Sequence, residues 1–165
     1  MVASEPVWLE GPEAIVAAAA ALVSAANRRL DIYAPTLEPA LFADDSLVAA
    51  IRALALGHER AAVRVLVAQG GATLHDAKPL LQLLQRLPSR ISLRVLEQDC
   101  PRDRPELRQR FLVADEHSAL QQNDPLIPRA RLALAAPGRA RVLLDLFEPL
   151  WIRAESDPEV RQIGI

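Results

Sequence analysis

Between residues 30 and 96 the sequence alternates three short β-type runs with two helical ones, and that order restricts the fold more than any other feature. Leu30-Asp31-Ile32-Tyr33-Ala34 reads as a short alternating strand that stops at Pro35. Ala62-Val63-Arg64-Val65-Leu66-Val67-Ala68 is a strand of the kind buried on both faces, ended by Gly70-Gly71. Ile91–Leu96 forms the third. Between them, Asp44-Asp45-Ser46 caps a helix from Leu47 to about Gly57 that carries Leu47, Val48, Ile51, Leu54 and Ala55 on one face. A second, from about Asp76 to Leu87, carries Leu80, Leu81, Leu83, Leu84 and Leu87. Strand, helix, strand, helix, strand implies parallel pairing through right-handed crossovers.

The flanking segments fit around this unit. Val7, Trp8 and Leu9 suit a short edge strand or a clip over the core, and Gly11-Pro12-Glu13 opens an alanine-rich helix that runs to about Asn27. After a polar loop over Gln98–Glu106, Arg108–Ala114 and Ser118–Gln122 are separated only by Asp115-Glu116-His117. That gap is too short for a helical crossover, so the two runs form an antiparallel hairpin. Arg129–Ala135 reads as a further strand. Pro137-Gly138 opens a long helix with Val142, Leu143, Leu146, Phe147, Leu150 and Trp151 on one broad face, and Asp157-Pro158 starts a last short turn. The expected architecture is a single α/β domain over residues 1–165, one mixed sheet with helices on both faces.

With 51% hydrophobic and 24% charged residues and a net charge of -2, the chain is neither a disordered tail nor a globally basic nucleic-acid coat. The Ala14–Ala26 run falls short of the roughly 20 apolar residues a membrane span needs. The acids Glu5, Glu10 and Glu13 before it, with no Lys or Arg, are the opposite of a signal peptide's charged start. A soluble, cytoplasmic protein without membrane attachment is expected. Cys100 is alone, which excludes an intrachain disulfide and a thiolate zinc site. No Gly-rich phosphate loop or Ser-His-Asp spacing is present, so neither a cofactor nor a metal is expected. His75-Asp76 and His58 read as helix-end residues, and Cys100 has no histidine partner evident in sequence.

Three features in this order resemble the phospholipase D superfamily half-domain. The first is the block of an alanine-rich helix, the strand LDIYAP, the helix DDSLVAAIRALALG and the strand VRVLV. The second is Arg108-Gln109-Arg110-Phe111-Leu112-Val113-Ala114-Asp115, with the spacing of the family's H-x-K-x4-D motif. The third is the terminal helix with Phe147, Leu150 and Trp151, similar to the family's F-x-x-L/W pattern. The resemblance covers about residues 13–155. The chain also resembles a smaller bacterial group of such domains, some joined to an N-acetyltransferase domain, which implies an acetyltransferase or other protein partner. Active members of the superfamily place two half-domains face to face, which implies a homodimer.

The resemblance implies that the motif histidine is the nucleophile, that the lysine holds the phosphate and that the aspartate supports both, with a later Asn in the pocket. Here those positions hold Arg108, Arg110 and Asp115, and Asn123 corresponds to the Asn, without the Gly-Ser element that normally precedes it. Imidazole can attack phosphorus and later leave. A guanidinium stays protonated with its lone pairs delocalised, so it is neither nucleophile nor general base. The expectation is a catalytically inactive domain.

Binding survives such a change. On a strand, residues 108 and 110 point to one face, where two guanidinium forks suit a phosphate, a carboxylate or a nucleic-acid backbone. Arg102 and Arg104 extend that surface, and residues 102–110 hold four Arg against Asp103 and Glu106. The structural alternative is that Arg108 and Arg110 lie exposed on an edge strand or pair with Asp31, Asp99 or Asp115, with Asp115 a turn residue. Three roles stay open: a binding or regulatory module for an anionic ligand or protein partner, a nucleic-acid binder using the Arg102–Arg110 surface, and an assembly domain for an acyltransferase.

Overall fold

A computed structural model describes residues 5–156. The turn expected at Asp157-Pro158 lies outside the described residues. The elements are β1 (Val7–Glu10), α1 (Pro12–Ala25), β2 (Arg29–Ala34), α2 (Pro39–Phe42), α3 (Asp45–Gly57), β3 (Ala62–Val67), α4 (Lys78–Arg86), β4 (Ile91–Val95), β5 (Arg110–Ala114), β6 (Ser118–Gln122), β7 (Arg129–Ala133) and α5 (Pro137–Arg153), with 3-10 turns over Gly71–Ala77 and Pro105–Leu107. The strands form one seven-stranded mixed sheet in the order β1-β7-β6-β5-β2-β3-β4. β2, β3 and β4 run parallel, and every other pair is antiparallel.

Two differences from the sequence reading have plain causes. β2, read only as a short alternating strand, lies inside the sheet between β5 and β3, with Leu30 through Ala34 buried. Its alternation divides two cores rather than core from water: Leu30, Ile32 and Ala34 join one cluster and Tyr33 the other. The helix expected from Asp76 begins instead at Lys78, because Gly71–Ala77 winds as a 3-10 turn up to the proline at the first turn of α4.

Helices cover both faces unequally. α1, α3 and α4 pack on one face, where the alanines of α1 let α3 approach closely; Ala19 is fully buried. The other face is covered by α5, whose Leu143, Phe147 and Trp151 meet Tyr33, Leu66, Phe111 and Val113. Phe147 and Trp151 stack at 5.6 Å, and Phe147 meets Phe111 edge-on at 6.4 Å. One edge of the sheet is closed off after α5, where Glu155 exchanges two backbone hydrogen bonds with Val95 at 2.7 and 2.8 Å. No helix among the described residues is long and apolar enough to cross a membrane.

Beneath α5 lies a charge network that apolar patterning alone would not produce. Asp31 has no exposed surface, and its Oδ1 accepts from Arg64 Nε at 2.6 Å while Oδ2 accepts from Arg29 Nε at 3.2 Å. Arg64 continues to Glu148 of α5 at 2.5 and 3.1 Å and lies over the Phe147 and Trp151 rings. Burial pushes the Asp31 carboxyl upward against the pull of Arg64, whereas the hydrogen bond from Arg64 holds Glu148 below the usual carboxylate range. Removing one partner of a buried pair strands the other charge. Asp31→Ala therefore destabilises the protein by about 3–5 kcal/mol in urea unfolding, and a paired Asp31→Leu, Arg64→Met replacement recovers most of that loss. A single-variant cost below about 1 kcal/mol would show that the network contributes little.

Candidate functional site

The strands place Arg108 and Arg110 at the carboxyl end of β2, the end at which open α/β sheets bind ligands. β5 runs antiparallel to β2, with Tyr33 opposite Phe111, so Arg110 enters the sheet beside the segment that follows Ala34. A cavity of about 410 Å³ opens there, lined by Pro35, Thr36, Glu38, Arg108, Arg110, Asp124, Pro125 and Leu126.

Arg110 is buried, and its guanidinium is engaged on two sides. Nη1 donates to Glu38 Oε2 at 3.0 Å and Nη2 to Gln122 Oε1 at 2.5 Å. Gln122 Nε2 donates in turn to the Ile127 carbonyl at 2.7 Å, so the chain after β6 is tied to the same arginine. Burial pulls the Arg110 pKa down, and Glu38 opposes that pull. Arg110 thus pairs internally, though with none of the three acids the sequence suggested.

Arg108 differs from expectation in backbone as well as role. It does not share a strand face with Arg110: it follows the 3-10 turn Pro105–Leu107 with φ -84° and ψ -18°, and the strand begins two residues later. Its side chain is exposed and has no hydrogen-bond or ion-pair partner among the described residues. The turn itself is held by Tyr33, whose hydroxyl donates to the Leu107 carbonyl at 2.8 Å. The two arginines still meet at one cleft, because the loop brings Arg108 round to the rim above Arg110.

The other expected residues lie elsewhere. Arg102 donates to the carbonyls of Ala68, Leu96, Glu97, Gln98 and Cys100 at 3.0–3.3 Å, pinning its own loop to the ends of β3 and β4. Arg104 pairs with Glu106, its Nε 2.7 Å from Oε1. Neither lines the cleft with Arg108 and Arg110. Asn123 is exposed and outside the lining, where its neighbour Asp124 stands. Asp115 sits at the far end of β5, in the hairpin turn. Its carboxylate accepts from the backbone N–H groups of Asn27, Arg28 and Arg29 at 2.8–2.9 Å, locking the turn to the start of β2. Asp115 and Glu116 have φ of 51° and 63°, the paired left-handed conformation of a tight hairpin turn. The motif spacing to Asp115 therefore has an architectural reason.

Glu38 and Gln122 were not foreseen. Gln122 was within reach of the sequence, since a turn at residues 115–117 sets Gln122 opposite Arg110. Glu38 was not, because only the fold brings the loop after β2 against β5. No imidazole or thiol lines the cleft; Thr36 supplies its one hydroxyl side chain, and Asp124 Oδ1 accepts from the Leu126 N–H at 2.9 Å. Among the described residues no group of three or more His, Cys, Asp or Glu is placed to hold a metal ion. Leu126 is 91% exposed and forms an apolar lip beside Arg108.

Comparison with known proteins bears on the fold. The family model described as a domain of unknown function, DUF7931, matches residues 11–163, and the chain belongs to that family. No curated protein sequence matches it. Among solved structures it is similar to Nuc from Salmonella typhimurium, a phospholipase D family member, with a TM-score of 0.61 and 16% identity over 93% of this chain and 99% of that one. NucT from Helicobacter pylori gives a TM-score of 0.64 at 9% identity, over 93% and 99% of the two chains. TrmBL2, an archaeal chromatin protein whose structure shows a novel mode of DNA binding, gives 0.62 at 11% identity over 93% of this chain; the match spans 55% of that protein. These likenesses show a phospholipase D-like fold.

The Asp115 clamp has a signature in acid. Partial burial pushes its carboxyl up, but the three N–H donors outweigh burial and hold it below the ordinary 3.8. Its contribution is therefore fully present above about pH 4 and lost as pH falls through the lower folded value. Asp115→Asn costs about 2 kcal/mol at pH 7 and flattens the stability–pH profile below pH 4. Equal acid sensitivity of variant and wild type in urea titrations would contradict the assignment.

Proposed function

We propose that this member of the DUF7931 family is a non-hydrolytic binding module with a phospholipase D-like fold, in which Arg108 captures an anionic, phosphate-bearing ligand at the carboxyl-end cleft. The observation that carries the reading is the contrast between the two motif arginines. Arg110 is buried and neutralised by Glu38, whereas Arg108 stands exposed at the rim without a partner. One arginine supports the floor of the cleft and the other is available to a ligand. The Pro125-Leu126 lip suits a ligand with an apolar portion beside its charge. The lining supports binding rather than turnover, because a guanidinium at the nucleophile position cannot form the covalent intermediate. A homodimer or an acetyltransferase partner remains compatible with this reading and does not carry it.

Nucleic-acid binding is the second reading, favoured by the likeness to a DNA-binding chromatin protein. The engagement of Arg102 with carbonyls and of Arg104 with Glu106 leaves Arg108 as the guanidinium of that surface with its donors uncommitted, which favours a small ligand over a polyanion.

Purified protein incubated with bis(p-nitrophenyl) phosphate should release no nitrophenolate above background. A short-chain phosphatidic acid should bind, and Arg108→Ala should weaken it about tenfold with an unchanged thermal melt. Hydrolysis abolished by Arg108→Ala would overturn the inactive reading, and unchanged affinity in that variant would overturn the assigned site. Steeply salt-sensitive binding of a DNA duplex, lost in Arg108→Ala, would favour the second reading.

A further inference from the structure

At the opposite end of the sheet, where β2 and β3 begin, a larger cavity of about 680 Å³ lies beside the β5–β6 turn. Arg28, Arg29, Arg60 and Arg64 line it, against the carboxylates of Asp115 and Glu116. The carboxylates of Asp115, Glu116, Asp31 and Glu148 are already engaged. Asp115 accepts its three backbone N–H groups, Glu116 Oε1 accepts from Arg29 Nη1 at 2.7 Å, and Asp31 and Glu148 hold Arg64 and the rest of Arg29. The guanidinium groups of Arg28 and Arg60 have no hydrogen-bond or ion-pair partner among the described residues.

Their backbones, in contrast, are held firmly. The Arg28 N–H donates to Asp115 Oδ1 at 2.9 Å, and its carbonyl accepts from the Ala62 N–H at 2.9 Å, which sets it beside the loop that carries Arg60. The Arg60 N–H donates to His58 Nδ1 at 3.0 Å. Between them the floor is Ala62, exposed and too small to fill the space. The result is a concave site with two unengaged forks rooted on ordered backbone, above arginines whose charge is already balanced.

We propose that this cavity is a second anion site, distinct from the Arg108 cleft, that takes the dianionic head of a small phosphomonoester. Two guanidinium forks lining one cavity from adjacent loops match a tetrahedral dianion better than a single lysine-type charge would. The volume suits a small organic molecule. Glu116 and Glu148, 57% and 41% exposed at their side chains, stand beside the site and disfavour an extended polyanion.

The test is calorimetric titration of the full chain at low ionic strength with inorganic phosphate, ribose 5-phosphate and succinate as probes. Phosphate and ribose 5-phosphate should bind saturably, the sugar phosphate more tightly, and succinate at least about tenfold more weakly. Arg28→Ala with Arg60→Ala should weaken phosphate binding at least about tenfold, whereas Arg108→Ala should leave the tighter phosphate site intact. That contrast separates this site from the carboxyl-end cleft. If the double alanine variant does not fold, Arg28→Lys with Arg60→Lys keeps both charges and should still weaken binding several-fold through loss of the forks. Absence of saturable phosphate binding, wild-type affinity in the double variant, or equal affinity for succinate would each overturn the proposal.

Discussion

Asp31 has no contact with solvent, yet it sits in an interior strand between two arginines, and the second face of the sheet is organised around it. A lone carboxylate there would be too costly to keep ionised. Arg64 answers it from the neighbouring strand and then carries the charge outward to Glu148 on α5, while its guanidinium lies over Phe147 and Trp151. The same side chain thus joins two strands and one helix. Leu143, Phe147 and Trp151 supply the apolar contact that holds α5 down, but the ion pairs define where along the sheet it lies. Hydrophobic burial is non-directional, whereas a bidentate arginine is not.

This organisation explains why the two ends of the sheet differ. At the carboxyl end of β2, Arg110 is drawn into a closed set with Glu38 and Gln122, which fixes both the loop before α2 and the chain leaving β6. At the amino end, Asp115 performs the equivalent task without a cation, by gathering three backbone N–H groups. Two of the three motif positions therefore serve the architecture, and Arg108 alone faces outward. The fold by itself requires the spacing between Arg110 and Asp115, because the two residues fasten opposite ends of β5.

The layout of strands and helices was legible because it depends on local patterns: the buried VRVLV run, the leucine stripe of α4 and the short hairpin gap at Asp115–His117 each announce one element. That position 108 holds a guanidinium rather than an imidazole was equally legible, since it needs only residue identity. What sequence could not supply were long-range pairings. Arg102 looked like part of a basic surface because three other arginines lie close in sequence, yet it donates to the carbonyls of Ala68 and Leu96, just beyond β3 and β4, and to three carbonyls of its own loop. Arg28 and Arg60 looked unremarkable because 32 positions separate them, and only parallel pairing of β2 with β3 makes them neighbours.

The six residues of β2 set a length scale. At about 3.3 Å per residue the strand spans roughly 17 Å, about twice the Debye length of roughly 8 Å in physiological salt. A charge arriving at Arg108 is therefore nearly invisible to Arg28 and Arg60 through solvent. The strand between the two ends is buried on both faces and hydrogen-bonded on both sides, which makes it a rigid spacer rather than a lever. Ligands at the two ends would load independently, and the chain could hold two unlike anions at once with neither occupant reporting the other.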